Sequence, residues 1–333
     1  MKYPIYVIQQ GAKVSLENRQ VHVSLHDDSL LQEPVHRVSQ LVLFGNVQVT
    51  TQTITALLNK NAEIIYLSYH GAFRGRTIGE ITPHVPLRRS QYRILDDPAY
   101  QLIHSRAIVR AKLQHQLTLL RRHGANRNDA VIQAAIQRLI QARDQVERRV
   151  SLASLRGHEG AAAQAYFSGY RHLFGPEWHF EARRRRPPPD PINVLLSLGY
   201  TLLSQAASSA VHAVGLDPYA GFFHDFKYNR PTMALDLMEE FRPVIDGLIL
   251  WAVNSGQITP AHFESGSSSR PVILNDEGKR RYLAAYEQRM MRRSRHPLKK
   301  KQLTLRQSLI EQARQIATRL MQHDPGYTGM GFR

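Results

Sequence analysis

The chain has 333 residues, 42% of them hydrophobic, with 44 Lys and Arg against 27 Asp and Glu, giving a formal charge of +17. That length accommodates two domains, and that charge points to a polyanionic partner, nucleic acid ahead of anionic lipid. There is no cysteine, which excludes disulfides, zinc–thiolate sites, iron–sulfur clusters and thiol catalysis, and is in keeping with the cytoplasm.

The first segment, "MKYPIYVIQQGAKVSL", has no long apolar core and no small-residue cleavage site, so it does not read as a signal peptide. Residues 3–80 read as strands. Val21, Val23 and Leu25 alternate with polar residues, the period of a half-buried strand, and "LENRQV" ahead of them reads as a hairpin loop. "QLVLFGNVQV" is a second β-rich run with a Gly-Asn break, and "TTQTITALLNKN" is a short helix with a threonine available as its cap. "AEIIYLSYHGAFRG" supplies an apolar strand, a turn at Gly71 and a further strand. From about residue 95 the period changes. Val109, Leu113, Leu117 and Leu120 lie on one helix face, "RRHGANRND" ends that helix, and Ile132, Ile136, Leu139, Val146 and Val150 continue the spacing. Residues 193–213, 231–255, 276–293 and 303–322 also read as helices, whereas the prolines of 174–191 favour an extended loop. The expected fold class is α+β in two domains: a small β-rich domain over 1–90, and a larger α-helical catalytic domain over 91–333. The uncharged run 194–216 is long enough to span a bilayer, but Gln205, His212 and four serines favour a buried core helix. "GMGFR" at the end reads as a glycine-rich tail.

The candidate chemistry lies in the helical part. Asp236 and Glu239 project from one face of a helix beginning near Pro231, with Glu240 beside them and Leu235, Met238 and Phe241 as its packed side. Pro243 should kink or interrupt that helix. Such an acidic face is either solvated or gathered around a cation. His224 lies 12 residues before Asp236 and 15 before Glu239, a loop-then-helix spacing that serves a metal ligand, a general base or a histidine at the core edge. Glu159 reads as standing at a helix start, where the dipole favours a carboxylate. "HEGAA" lacks the second histidine of a zinc-protease helix, and no nucleophile elbow, P-loop or strand-linked dinucleotide fingerprint occurs. Two basic patches stand out. Arg183, Arg184, Arg185 and Arg186 precede a proline run, as a DNA-contacting loop or a solvated linker. "MMRRSRHPLKKK", with Lys299, Lys300 and Lys301, reads as a DNA or partner contact.

Four segments, "LRGHEGAAAQAYF", "DPINVLLSLGYTLL", "GLDPYAGFFHDFKYNRPTMALDLMEEFRP" and "ILNDEGKRRYLAAYEQRM", occur in this order. Together they resemble the CRISPR-associated adaptation endonuclease and integrase family ("Cas one"), as does "VHRVSQLVLFGNVQVTTQTITALLNKNAEIIYLSYHGAFRGR" for that family's β-domain. The resemblance implies a metal site of Glu159, His224 and Glu239, with Asp236 as a neighbouring site residue, binding Mn2+ or Mg2+. It implies metal-dependent phosphodiester hydrolysis and strand transfer, in which a DNA 3′-hydroxyl attacks the CRISPR repeat to insert a foreign fragment in antiviral defence. It further implies double-stranded DNA (prespacer and CRISPR repeat) as partner and a homodimer through the β-domain. A dimer of the small second adaptation protein ("Cas two") would be bracketed by two such dimers, with cytoplasmic location and no membrane partner. A non-catalytic DNA-binding scaffold and a transposon integrase of the same fold are the alternatives.

Overall fold

The computed structural model describes residues 2–26, 28–80, 84–125 and 127–331. The chain forms two compact units, the first covering residues up to 81 together with Leu274–Leu283, the second the remainder.

The first unit holds two four-stranded sheets. One runs in the order β1 (Tyr3–Val7), β5 (Val38–Phe44), β7 (Glu63–Leu67) and β8 (Phe73–Thr77), the first three parallel and the last antiparallel. The other runs β4 (Asp28–Pro34), β3 (Gln20–Leu25), β2 (Lys13–Glu17) and β6 (Gln48–Val49). The expected hairpin joins β2 to β3 through Asn18 and Arg19, whose φ values of 48° and 61° are both left-handed, as a two-residue turn requires. Thr50 caps α1 (Thr51–Leu58) by accepting from the Thr53 amide. Alternation then decides the packing: Val14, Val21 and Val23 of one sheet and Ile5, Leu41 and Ile64 of the other share a core with Leu57 of α1. The sequence boundary at residue 90 falls inside a helix that belongs to the second unit. Residues 274–283 join the first unit because Asp276 accepts from the Tyr69 hydroxyl (2.8 Å) and the Lys279 ammonium lies 3.5 Å from the Tyr69 ring centroid.

The second unit is built from helices: α2 (Val85–Ile94), α3 (Pro98–Gly124), α4 (Ala130–Asp144), α5 (Leu152–Tyr170), α6 (Pro191–Val214), α7 (Thr232–Glu239) and α8 (Arg242–Asn254). A hairpin of β9 (Phe263–Ser267) and β10 (Arg270–Leu274) follows. Then come α9 (Asp276–Met291), which has residues in both units, a hairpin of β11 (Arg293–Arg295) and β12 (Gln302–Thr304), and α10 (Leu305–Met321). α3 packs on α4, α5, α7 and α8, and α6 on α7, α8 and α10. The uncharged run is α6. It is long and apolar enough to cross a membrane, yet 67% of its most apolar window is buried in the protein, as a core helix requires. Pro243 sits in the first turn of α8, where its missing N–H costs nothing, so α7 and α8 are separate helices.

Two sequence expectations change. α5 begins at Leu152, with Ser151 as its cap, so Glu159 lies well inside the helix and its placement owes nothing to an N-terminal dipole. The last described segment is also more than a tail. The Met330 amide donates to Glu240 (2.7 Å), the Tyr327 hydroxyl reaches the same carboxylate, and His115 lies between the carbonyls of Glu240 and Met330. Phe332 and Arg333 lie outside the described residues.

Candidate active site

The stretch 215–224 is stitched onto the start of α7 by one carboxylate. Asp236 Oδ2 accepts from the amides of Phe222 (2.6 Å) and Phe223 (2.9 Å), and Oδ1 accepts from the amide of His224 (3.1 Å). The Gly221 amide donates to Thr232 Oγ1 (2.9 Å). A Cβ at Gly221 would stand 2.6 Å from Asp236 Oδ2, so only glycine lets the loop approach this closely. The same Asp236 Oδ1 lies 2.6 Å from His224 Nδ1. A carboxylate can only accept, so Nδ1 carries a proton and donates, and Nε2 is the ring nitrogen left to face Glu239. That Nε2 is 3.6 Å from Glu239 Oε1.

The acidic face of α7 is not solvated: Asp236, Glu239 and Glu240 are 1%, 3% and 0% exposed. Buried carboxylates need partners. Asp236 has the loop, and Glu240 has Gln312, Tyr327 and Met330. Glu239 receives Arg242 Nε at 2.7 Å and Lys112 Nζ at 2.6 Å. Burial pushes the Glu239 carboxyl upward, but Arg242, then Lys112 and His224, outweigh it and hold it well below the usual range. Lys112 of α3 also donates to Glu159 of α5, so one buried ammonium joins two carboxylates drawn from different helices. Burial would deprotonate Lys112; Glu239 and Glu159 reverse that and raise it. Behind this layer the Arg242 guanidinium lies 4.8 Å from the Tyr200 ring centroid, and Tyr200 and Tyr166 both donate to Asp246. Burial drives the Asp246 carboxyl up to about 6.

Glu159, His224, Asp236 and Glu239 are therefore brought to one place, from α5, the 215–224 loop and α7. Among the described residues no three His, Asp or Glu side chains close up as a ready-made metal set, and the positive charge at their meeting point is that of Lys112 and Arg242. One residue of the basic patches, Arg183, borders this layer, its guanidinium carbon 5.5 Å from the ring centroid of the same Tyr200. Arg183 is turned inward: its Nη1 donates to Asn193 Oδ1 (2.8 Å) and to the Arg184 carbonyl (2.9 Å), while Arg184, Arg185 and Arg186 are exposed. Lys299, Lys300 and Lys301 are exposed, with Lys299 Nζ 3.2 Å from Glu311. Sequence reasoning missed Lys112, Arg242 and the role of Glu240. For Arg242 a signal existed, since it follows Glu239 by three residues and a helical turn places such a pair together.

The family "CRISPR associated protein Cas1" matches residues 5–288 of the chain. A "CRISPR-associated endonuclease Cas1 3" of Thermus thermophilus is 36% identical, over 99% of this chain and 97% of that protein. A "CRISPR-associated exonuclease Cas4/endonuclease Cas1 fusion" of Geobacter sulfurreducens is 34% identical over 97% of this chain and 58% of the fusion. Among solved structures, a Cas1 protein from Thermotoga maritima superposes with a TM-score of 0.81 at 24% identity, over 99% of this chain and 100% of that one. A "Casposase bound to integration product" superposes with a TM-score of 0.87 at 19% identity, over 100% of this chain and 95% of that one. These structural likenesses fall below the identity at which more than the fold is shared, and that fold is the α+β arrangement of a strand-rich N-terminal part and a helical C-terminal part. The extent of the family match and the identity to curated relatives along nearly the whole chain carry the assignment: this protein belongs to the Cas1 family of CRISPR-associated endonucleases.

Proposed function

We propose that the chain is a divalent-metal-dependent DNA endonuclease and integrase of CRISPR spacer acquisition, joining a foreign fragment to the repeat by 3′-hydroxyl attack on a repeat phosphodiester. The observation that carries this reading is the meeting of Glu159 and Glu239, from two helices, on one buried cation, Lys112, with His224 of the 215–224 loop facing the other oxygen of Glu239. Two carboxylates already sharing an ammonium are chemically suited to share a divalent ion in its place, and an imidazole whose Nδ1 is held by Asp236 presents Nε2 as a ligand. Glu159, His224 and Glu239 would hold the ion; one imidazole among oxygens suits Mn2+ better than Mg2+. When bound, the ion supplies Lewis-acid polarisation of the phosphodiester and lowers the pKa of the attacking hydroxyl. The chain's own part is positioning. Asp236 fixes the ring of His224, Arg242 anchors Glu239 and keeps it ionised, and Lys112 holds Glu159 and Glu239 together at the place a metal would take.

The partners follow from the same family reading. One structural neighbour is a Cas6-RT-Cas1–Cas2 complex and another is bound to a DNA integration product. In this chain the partners would be duplex DNA, a second copy through the β-rich unit, and a Cas2 dimer, in the cytoplasm. Identity of 36% to a CRISPR-associated Cas1 endonuclease along nearly the whole chain favours CRISPR adaptation over transposition.

The test is an integration assay with purified Cas2 partner, a prespacer duplex and a repeat-bearing plasmid, with and without Mn2+. Glu159→Ala, His224→Ala and Glu239→Ala should each abolish strand transfer, whereas Asp236→Asn, acting through His224, should slow it by about ten- to a hundredfold. Full metal-dependent activity in Glu159→Ala would remove that residue from the site, and equal loss in Asp236→Asn would make it a ligand.

A further inference from the structure

α7 has eight residues, too few to hold a helix by themselves, and no side chain caps its start. Its ends are fixed from outside. Toward the start, Thr232 and Asp236 accept from amides of the 215–224 loop. At the other end Glu239 is the last helical residue, and the side chain anchored there is that of the next residue, Glu240. That carboxylate is fully buried, and three donors reach it: the Tyr327 hydroxyl (2.5 Å), Gln312 Nε2 (2.9 Å) and the Met330 amide (2.7 Å). Two of the three belong to the chain's last described stretch, residues 324–331.

This stretch is a strap clamped between α10 and α3. The Thr328 amide donates to Gln315 Oε1 (2.7 Å) and its carbonyl accepts from Gln312 Nε2 (3.0 Å), both side chains of α10. On α3, His115 bridges strap and helix end: its Nε2 lies 2.6 Å from the Met330 carbonyl and its Nδ1 2.7 Å from the Glu240 carbonyl. Gly329 passes so close to α3 that a Cβ there would collide with the Ala111 side chain, and Ala111 precedes Lys112. The Tyr327 ring lies 4.8 Å from the His104 ring, and His104 lies 5.2 Å edge-on from Phe222, whose amide donates to Asp236. Three strap contacts therefore fall beside the acid–histidine site: on Glu240 next to Glu239, on Ala111 next to Lys112, and through His104 on the loop that carries His224.

We propose that the C-terminal strap is a positioning element of the acid–histidine site, with Tyr327 and Gly329 as positioning residues that set where Glu239 and Lys112 stand. The inference rests on the catalytic reading of that site. A misplacement of about 1 Å can slow a reaction a hundredfold, so a loosened strap should cost about tenfold. Gly329→Ala, which presses the strap off Ala111, should lower kcat of Mn2+-dependent strand transfer about tenfold and leave KM for the repeat duplex unchanged. Tyr327→Phe, which keeps the ring and removes the hydroxyl from Glu240, should lower kcat by about three- to tenfold. Ala111→Gly removes the side chain that Gly329→Ala meets. The double variant should regain most of the rate even though a glycine inside α3 makes the fold less stable, a combination that a strap serving stability alone cannot produce. Amide hydrogen exchange in EDTA, without DNA, reads the same loosening apart from any metal. In Gly329→Ala it should quicken about tenfold over 222–224 and 233–241 and stay as in the wild type over α4. Exchange quickened evenly over the second unit, quickening confined to 324–331, an unchanged kcat in Gly329→Ala, or a double variant no faster than the single would each overturn the proposal. Should Glu159→Ala keep full activity, the metal reading falls, and exchange in EDTA still decides for or against the strap.

Discussion

A lysine 8% exposed between two carboxylates has to be explained by charge, since an ammonium taken out of water costs several kcal/mol unless its partners return it. Lys112 satisfies Glu159 and Glu239 together, and the three are separated in sequence by 47 and 127 residues. Replacing it with methionine, which fills similar space without charge, leaves Glu159 without its ion pair and Glu239 with Arg242 and His224. Without metal, Lys112→Met should lose roughly 3 kcal/mol, which for a chain of this size lowers the unfolding midpoint by about 4 °C. If a divalent ion takes the ammonium's place, Mn2+ should raise the midpoint of Lys112→Met more than that of the wild type, because ligand binding to the folded state adds stability by mass action. Thermal unfolding of both proteins in EDTA and in Mn2+ measures this; equal shifts would show that metal and lysine do not share a place. Glu159, His224, Asp236 and Glu239 were legible in the sequence because they fall in ordered segments of a known family. Lys112 was not: it lies between Ala111 and Leu113 in a helix whose periodicity announces only a packed face, and nothing local signals partners on two other helices.

The elements show where local pattern suffices and where it does not. The β2–β3 hairpin, the threonine-capped α1, the buried α6 and the break at Pro243 follow from turn chemistry, capping and apolar runs that a short window contains. The hairpins β9–β10 and β11–β12 do not, since their strands are short and carry glycine, serines and arginines in no clean alternation. The parallel pairing of β1, β5 and β7 and the docking of residues 324–331 are set by long-range packing. That docked segment has a mechanical consequence. Glu240 is adjacent to Glu239, and its buried carboxylate is held by Tyr327, Gln312 and the Met330 amide. A Cβ at Gly329 would collide with Ala111, next to Lys112, and stand 3.0 Å from Glu240 Oε2. Gly329→Val should therefore lift the strap and cost about 1–3 kcal/mol by overpacking, and Tyr327→Phe should cost about 1.5–3 kcal/mol by removing a hydrogen bond to a charged group. Both should also speed proteolysis near residues 324–331. Denaturant unfolding with limited digestion tests this, and wild-type behaviour of Gly329→Val would show that the strap contributes no stability.

For the whole molecule the governing quantity is the formal charge of +17. It was readable from composition, but composition does not say which cations face outward unpaired, and that decides the phosphate count. Arg183 is spent on Asn193, and Lys299 reaches Glu311, whereas Lys300 and Lys301 are exposed and meet no carboxylate among the described residues. Each phosphate neutralised on duplex DNA releases counterions, so log affinity should fall linearly with log salt, with a slope of roughly −0.9 per contact. Replacing Lys299, Lys300 and Lys301 by alanine should therefore flatten the slope by roughly 1.8, the share of two lysines and not three. Lysines on phosphates position DNA without reading it, so all duplex sequences should weaken alike. Fluorescence anisotropy across a salt series, on wild type and the triple variant with several duplexes, is the measurement. A flattening near 2.7 would mean that DNA pulls Lys299 away from Glu311. An unchanged slope would take the patch off the DNA path and make it a surface for the protein partner.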